Sequence, residues 1–253
     1  EYRLPKAALR QDVERIVAGG VELRLGQTAG IDFTVDELLR DGYAAVFLGV
    51  GLQGGKSLAI PGADAAGVFT AVDVLRDVAL GKPVALGKNV VVIGGGDVAF
   101  DAGRTALRLG ADTVTITCIE DDQTMPASAD EIEEGLEESI TFVCSCLPTA
   151  VVPGPDGRAA KVEFTACALG DPDERGWRPP IPLDNTFSEL ACDTVIVATG
   201  QTLFPDFLRG AGGVQTQRNQ IVADPETHIT GRAGVFAGGD AAATGIWTAI
   251  EAI

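Results

Sequence analysis

The chain is predicted to be an α/β protein, on three observations. The first is VVVIGGGDVAFDAGRTALRLGADTVTITCIEDD (90–122), which opens as a β-type run, breaks on three glycines, continues with helical periodicity and ends in a second β-type run. The second is that YAAVFLGVG (43–51) and CDTVIVATG (192–200) also read as buried strands that stop at glycine. The third is the region 141–190, where the runs AVVPG and KVEFTACALG, separated by Pro/Gly/Asp turns, predict a small antiparallel β-meander.

The remaining elements follow in order. Residues 5–20 are expected to be helical, with Pro5 in the first turn, Leu9, Val13, Ile16 and Val17 on one face, and Gly19-Gly20 as the stop. VELRLG alternates apolar and polar as a half-buried strand does, and Thr34 with Glu37 forms a capping-box pattern for a short helix. Residues 52–87 are turn-rich around a helix near 70–80, and Gly81–Gly87 is the expected domain boundary. Ser128 and Glu131 fit a second capping box, whose helix carries Ile132 and Leu136 as an apolar stripe and its acids as a solvated face. QIVADPETHITG reads as a polar hairpin region in which His228 is structural, and GVFAGGDAAATGIWTAIEAI as a strand, a GGD turn and the start of a helix.

Composition narrows the function classes. A hydrophobic fraction of 46% with 32 glycines suits a packed α/β protein rather than a disordered chain. A net charge of −17 repels phosphate backbones, so nucleic acid is not an expected partner. The five cysteines are odd in number and include no CxxC, which supports neither a disulfide framework nor a thioredoxin-type pair. Cys144 and Cys146 alternate along an expected strand and are read as ordinary buried thiols. With His228 the single histidine, no metal site is expected. No signal peptide or apolar run of spanning length is seen, so no membrane partner and a cytoplasmic location are expected.

The glycine motif carries the chemistry. Gly94-Gly95-Gly96-Asp97-Val98-Ala99 matches G-x-G-x-x-A: Gly94 for the turn out of the strand, Gly96 for close approach of a pyrophosphate, Ala99 for helix–sheet packing. The helix start presents free N–H groups and its positive dipole end to the phosphates. A strand precedes the motif, a helix with Val98, Ala102, Ala106 and Leu109 on one face follows, and Gly110 stops it before TVTIT, which is the context of a dinucleotide fingerprint. Asp101 and Arg104 on that helix are expected to pair locally.

The second strand ends in Glu120, Asp121 and Asp122, and Glu120 lies 24 residues after Gly96, near the ~20 expected of the ribose-binding acid. A carboxylate there accepts hydrogen bonds from the ribose hydroxyls of NAD. The 2′-phosphate of NADP would face like charges, at about 4 kcal/mol for one pair 4 Å apart at an effective dielectric near 20. The sequence therefore favours NAD(H) over NADP(H).

The ordered set EYRLPK (1–6), AIPG (59–62), VVVIGGGDVAFDAGRTALRLGA (90–111), MPAS (125–128), DTVIVATGQ (193–201) and GVFAGGDAA (234–242) resembles the small (β) subunit of glutamate synthase and its FAD-dependent pyridine-nucleotide relatives. The resemblance implies two Rossmann-like domains, one inserted in the other. Residues 1–86 and 200–253 would be parts of a flavin domain, and 87–199 an NAD(P)-binding domain. It implies NAD (or NADP) and FAD as cofactors, with contacts at Gly200 and Gln201, at Gly239 and Asp240 of the flavin signature, and at Trp247, Thr248 and Ala249 of the following helix. It further implies electron transfer to an iron–sulfur domain or subunit, with [4Fe–4S] clusters outside this sequence. The family's own upstream G-x-G-x-x-G is missing, Glu1 replaces a starting methionine, and the last flavin helix is cut short, so a fragment is expected. No catalytic acid, base or nucleophile is required, since the cofactors carry the chemistry. Two alternatives stay open: a non-catalytic nucleotide-binding scaffold in a larger assembly, and a disulfide-reductase-type flavoenzyme, which needs a redox cysteine pair.

Overall fold

A computed structural model of the chain describes residues 4–174 and 176–242. It divides into two compact units, Glu1–Gln53 with Thr202–Ile253, and Gly54–Gln201.

In the first unit Lys6–Ala18 is helical, with Pro5 at its N-cap, but no residue of this helix is buried. Residues 21–25 differ from expectation and form no strand. Alternation alone does not make a strand where no neighbouring ladder takes up the backbone N–H and C=O groups. The capping box of the Val35–Arg40 helix is formed in both directions: Thr34 Oγ1 accepts from Glu37 N at 3.2 Å, and Thr34 N donates to Glu37 Oε2 at 2.8 Å. Strands Val46–Leu48 and Val235–Ala237 pair in parallel, Leu48 opposite Ala237. They bury Leu48, Val235 and Ala237 with Val35, Leu203 and Ile221. A tight hairpin pairs Thr216–Gln217 with Gln220–Ile221, and Arg218 and Asn219 both take the positive φ that a two-residue turn demands. His228 stands at φ 58 in a turn, its N–H donating to Asp224 O at 2.8 Å and its carbonyl accepting from Ala237 N at 2.9 Å.

The second unit is built from β1 (Val68–Thr70), α1 (Ala71–Ala79), β2 (Asn89–Ile93), α2 (Asp97–Arg108), β3 (Thr113–Thr117), α3 (Ala129–Glu137) and β4 (Thr141–Val143). A meander of β5 (Cys146–Pro153), β6 (Ala159–Leu169) and β7 (Pro180–Ala191) follows, and then β8 (Thr194–Val197). The order across the main sheet is β1-β8-β2-β3-β4, all parallel. One register row crosses it through Val68, Val195, Val91, Thr115 and Thr141. The order reverses direction next to β2, which is where α/β sheets open a crevice for ligands.

A parallel sheet covered on both faces needs near-continuous apolar strands, and NVVVI and TVIV supply them. Val90, Val92 and Ile196 pack toward Phe100, Ala102 and Ala106 of α2. Their alternates Val91, Ile93, Val195 and Val197 pack with Val151, Val162 and Phe164 of the meander. The meander is antiparallel and three-stranded, as its turn-punctuated sequence predicts.

The two units do not divide at Gly81–Gly87. Pairing of β1 with β8 makes β1 an edge of the main sheet, so residues 54–86 fold with the second unit rather than the first. That contact spans more than a hundred residues of sequence and leaves no local signal. The ends of this unit meet each other: Lys56 N donates to Gly200 O at 3.1 Å.

The acids of α3 are not merely its solvated face. Glu131 is buried, and Arg104 of α2, also buried, pairs with Glu131 at 3.6 Å, with Glu138 at 2.7 Å and with Glu134. Arg104 is thus placed across to the neighbouring helix, where a buried guanidinium finds counter-charge, rather than toward the glycine turn. Arg108 adds a second bond to Glu138 at 2.6 Å, and these arginines hold the Glu138 carboxyl down at about 2.

Candidate functional site

The C-terminal ends of β2, β3 and β8 surround a cavity of about 530 Å³, a size usual for small-molecule sites. Gly94, Gly95, Gly96, Glu120 and Gly200 all line it. Gly94 sits at φ +138, and a Cβ there would stand 2.5 Å from Ala198 O, so the turn out of β2 admits glycine alone. At Gly95 a Cβ would meet Cys118 Cβ at 2.8 Å. Gly96, the N-cap of α2, differs: its φ is −94 and no protein atom lies within 4 Å of its Cβ position. Protein packing does not demand a glycine at 96. A ligand approaching the open N–H groups of the first helical turn would.

Asp97 begins α2 and its Oδ1 accepts from Ser128 N at 2.8 Å, while Ala127 N donates to Gly95 O at 3.0 Å. The loop 125–128 is thereby tied to the glycine turn, and Ser128 Oγ goes on to cap α3. Val98 is half-buried against the helix-side core and Ala99 is fully buried, which is the close packing expected of the last motif position. Asp97, Val98 and Ala99 are therefore framework for the turn rather than cavity lining.

The three acids separate. Glu120 turns to the glycines: its Oε2 would be 3.2 Å from a Cβ on Gly95. Its backbone is fixed by Ser145 N, which donates to Glu120 O at 2.7 Å. Asp121 closes a local turn, accepting from Thr124 Oγ1 at 2.6 Å and Thr124 N at 2.8 Å, and these bonds, chiefly that of the Thr124 hydroxyl, hold its carboxyl below the ordinary range. Asp122 is exposed.

Four thiols, Cys118, Cys144, Cys146 and Cys167, underlie the Glu120 loop. Cys144 and Cys146 do not lie on one strand, because Ser145 between them takes φ +54 and ends the run of β4 before β5 begins. Cys118 and Cys144 interact through their sulfurs; burial raises both, and it pushes Cys146 up to about 12. Thiols held protonated are poor nucleophiles and poor redox partners. Among the described residues, no group of three or more His, Cys, Asp or Glu could hold a metal ion.

Gly200 stands at φ +121 on the β8 side of the cavity, and Gln201 is not among its lining residues. In the other unit, Gly238 N donates to Leu48 O at 3.3 Å, and Gly239 and Asp240 form a short 3-10 turn with Asp240 exposed. Two parallel strands therefore end together in glycine turns there, an arrangement that fits a second dinucleotide such as FAD. Trp247, Thr248 and Ala249 lie outside the described residues. The cavity also includes Trp177 and Pro180 from the meander, which sequence reading missed because the turn GDPDERGWRPP carries no signal of what it folds against.

A family model described as pyridine nucleotide-disulphide oxidoreductase matches residues 5–253. The chain is 38% identical over 255 residues to the NADP(+)-dependent formate dehydrogenase subunit beta of Moorella thermoacetica, covering 100% of this chain and 36% of that protein. It is 34% identical to the glutamate synthase [NADPH] small chain of Halomonas elongata, covering 95% of this chain and 53% of that protein. The chain thus spans about a third to a half of the length of these relatives. Among solved structures, Mycobacterium tuberculosis FprA in complex with NADPH superposes with a TM-score of 0.69 at 16% identity, covering 87% of this chain and 63% of that one. Thioredoxin reductase of T. acidophilum gives 0.62 at 20% identity, covering 82% of this chain and 60% of that one. Both share the fold.

Proposed function

The chain belongs to the pyridine nucleotide-disulphide oxidoreductase family, and on that premise we propose that Gly54–Gln201 binds NAD(H) for hydride exchange with an FAD held by the other unit. Electrons then pass to an iron–sulfur domain or subunit of a larger protein. The observation that carries the reading is the carboxylate of Glu120 beside the Gly94–Gly96 turn, since a ribose acceptor and a pyrophosphate seat are what a dinucleotide needs together.

When bound, the nicotinamide and flavin supply the redox chemistry. The chain's own residues do the holding. Gly96 and the first turn of α2 offer N–H groups to phosphate oxygens, Glu120 accepts from the ribose hydroxyls, and Gly200 leaves room at the far end of the crevice. In the other unit, the turns after Leu48 and Ala237, with Asp240, would hold the flavin.

The relatives are named for NADP(H), whereas Glu120 favours the unphosphorylated ribose. Arg178 lies close enough to lower Asp121, but its Nε and one Nη are engaged with the carbonyls of Gly170 and Leu169 at 2.7 and 3.1 Å. The three neighbouring acids outweigh it. The test is an anaerobic titration of the full-length protein with NADH and with NADPH, following flavin absorbance. NADH is expected to bleach the flavin at lower concentration; a preference for NADPH would overturn the coenzyme assignment, and no bleaching by either would overturn the function.

A further inference from the structure

We infer that Trp177 is the stacking platform for the adenine ring of the bound coenzyme, a contact that rests on reading the cavity as the dinucleotide site. Trp177 lines the same cavity as Glu120 and the glycine turn, yet it remains 57% exposed. A large exposed indole at the mouth of a crevice is a surface awaiting a flat apolar partner. Its backbone is nonetheless held at Trp177 itself. Trp177 N donates to Asp173 Oδ1 at 3.0 Å, and Trp177 O accepts from Asp173 N at 2.8 Å. The next residue, Arg178, clamps the carbonyls of Gly170 and Leu169, and Gly170 N donates to Pro179 O at 2.8 Å.

Position along the crevice decides which end of the coenzyme meets the indole. The hairpin carrying Trp177 rises from β6, where Cys167 Sγ donates to Ile119 O at 3.6 Å, and its Arg178 charge reaches Asp121. Trp177 therefore belongs to the Glu120 end, where the adenosine ribose is read, and not to the Gly200 end. The neighbouring side chains there are acidic, which disfavours holding the base by a further anionic contact but does not weaken stacking on a neutral purine. Base–aromatic stacking needs a π face and no particular edge, so this contact strengthens NADH and NADPH alike and leaves their discrimination to Glu120.

The test uses the full-length protein and two probes: ADP-ribose, which carries the adenosine half, and reduced nicotinamide mononucleotide, which lacks it. In Trp177→Ala the Kd for ADP-ribose is expected to rise about tenfold, within the range of base–aromatic stacking. KM for NADH should rise in parallel, while affinity for the mononucleotide is not altered. Trp177→Phe should recover most of the loss and Trp177→Leu, apolar but without a π face, little of it. ADP-ribose should also quench tryptophan fluorescence in the wild type and not in Trp177→Ala. A Kd for ADP-ribose within twofold of wild type in both the Ala and Leu variants would overturn the assignment of Trp177 and leave the site standing. Failure of the wild type to bind ADP-ribose would instead remove the dinucleotide reading, and this inference with it.

Discussion

Glu120 and Gly95 are neighbours in the lining of one cavity, with Glu120 Oε2 3.2 Å from where a Gly95 Cβ would be. A carboxylate on the end of β3 is thereby set against the turn that ends β2, and both are held by backbone bonds: Glu120 O accepts from Ser145 N at 2.7 Å and Gly95 O from Ala127 N at 3.0 Å. Four expectations follow from this arrangement and its supports.

Glu120→Arg should exchange an acceptor for a cation beside the ribose. NADH affinity is expected to fall at least about tenfold, matching the loss of one charge-assisted hydrogen bond, and NADPH affinity to rise. Isothermal titration with both coenzymes reads this directly. Unchanged values for both would place the ribose elsewhere.

Gly94→Ala and Gly96→Ala should fail differently. At Gly94 the φ of +138 and the clash with Ala198 O predict a loss of stability of about 2 kcal/mol or more. At Gly96 the added methyl meets no protein atom within 4 Å, so the melting temperature should hold while coenzyme affinity drops. Thermal melts with and without NADH separate the two cases. A Gly96→Ala protein that bound NADH normally would show that phosphate does not approach there.

Removal of the Arg104 side chain, as in Arg104→Met, should cost about 3–5 kcal/mol, because Glu131 would be left buried without its cation. Urea unfolding gives the number. The double change Arg104→Met with Glu131→Leu should recover part of it, since an apolar pair replaces the stranded charge.

Acid should weaken the contact between α2 and α3. The Glu138 carboxyl is depressed from 4.5 to about 2, chiefly by its hydrogen bond with Arg108. A group depressed on folding contributes fully above its unfolded pKa, so this stabilisation is present above 4.5 and is lost as pH falls toward 2. Melting temperatures measured across that window should decline less in Arg108→Gln than in the wild type.

The parts of this fold legible in sequence are those whose signal is local. NVVVI, the three glycines and the helix after them occupy one continuous stretch, and each residue type is dictated by its own backbone. The capping box of Thr34 and the N-cap of Ser128 are equally local, although Ser128 N donates to Asp97 rather than to Glu131, so the second box forms only by half. What was not legible depended on partners far away in the chain. VELRLG alternates correctly but forms no strand, residues 54–86 look separate from the second unit because the pairing of β1 with β8 is remote, and the acids of α3 look solvated because nothing nearby announces Arg104. The cavity lining follows the same rule: Gly96 and Glu120 stand out by their spacing, while Trp177 is brought there by a meander whose turn sequence reveals only that it turns.

The hydrogen bond between Lys56 N and Gly200 O closes the unit Gly54–Gln201 at its neck. A segment whose entrance and exit are adjacent asks nothing of its host but two neighbouring attachment points. A cut at that neck passes through no strand of the five-stranded sheet, so the unit's own ladder stays whole.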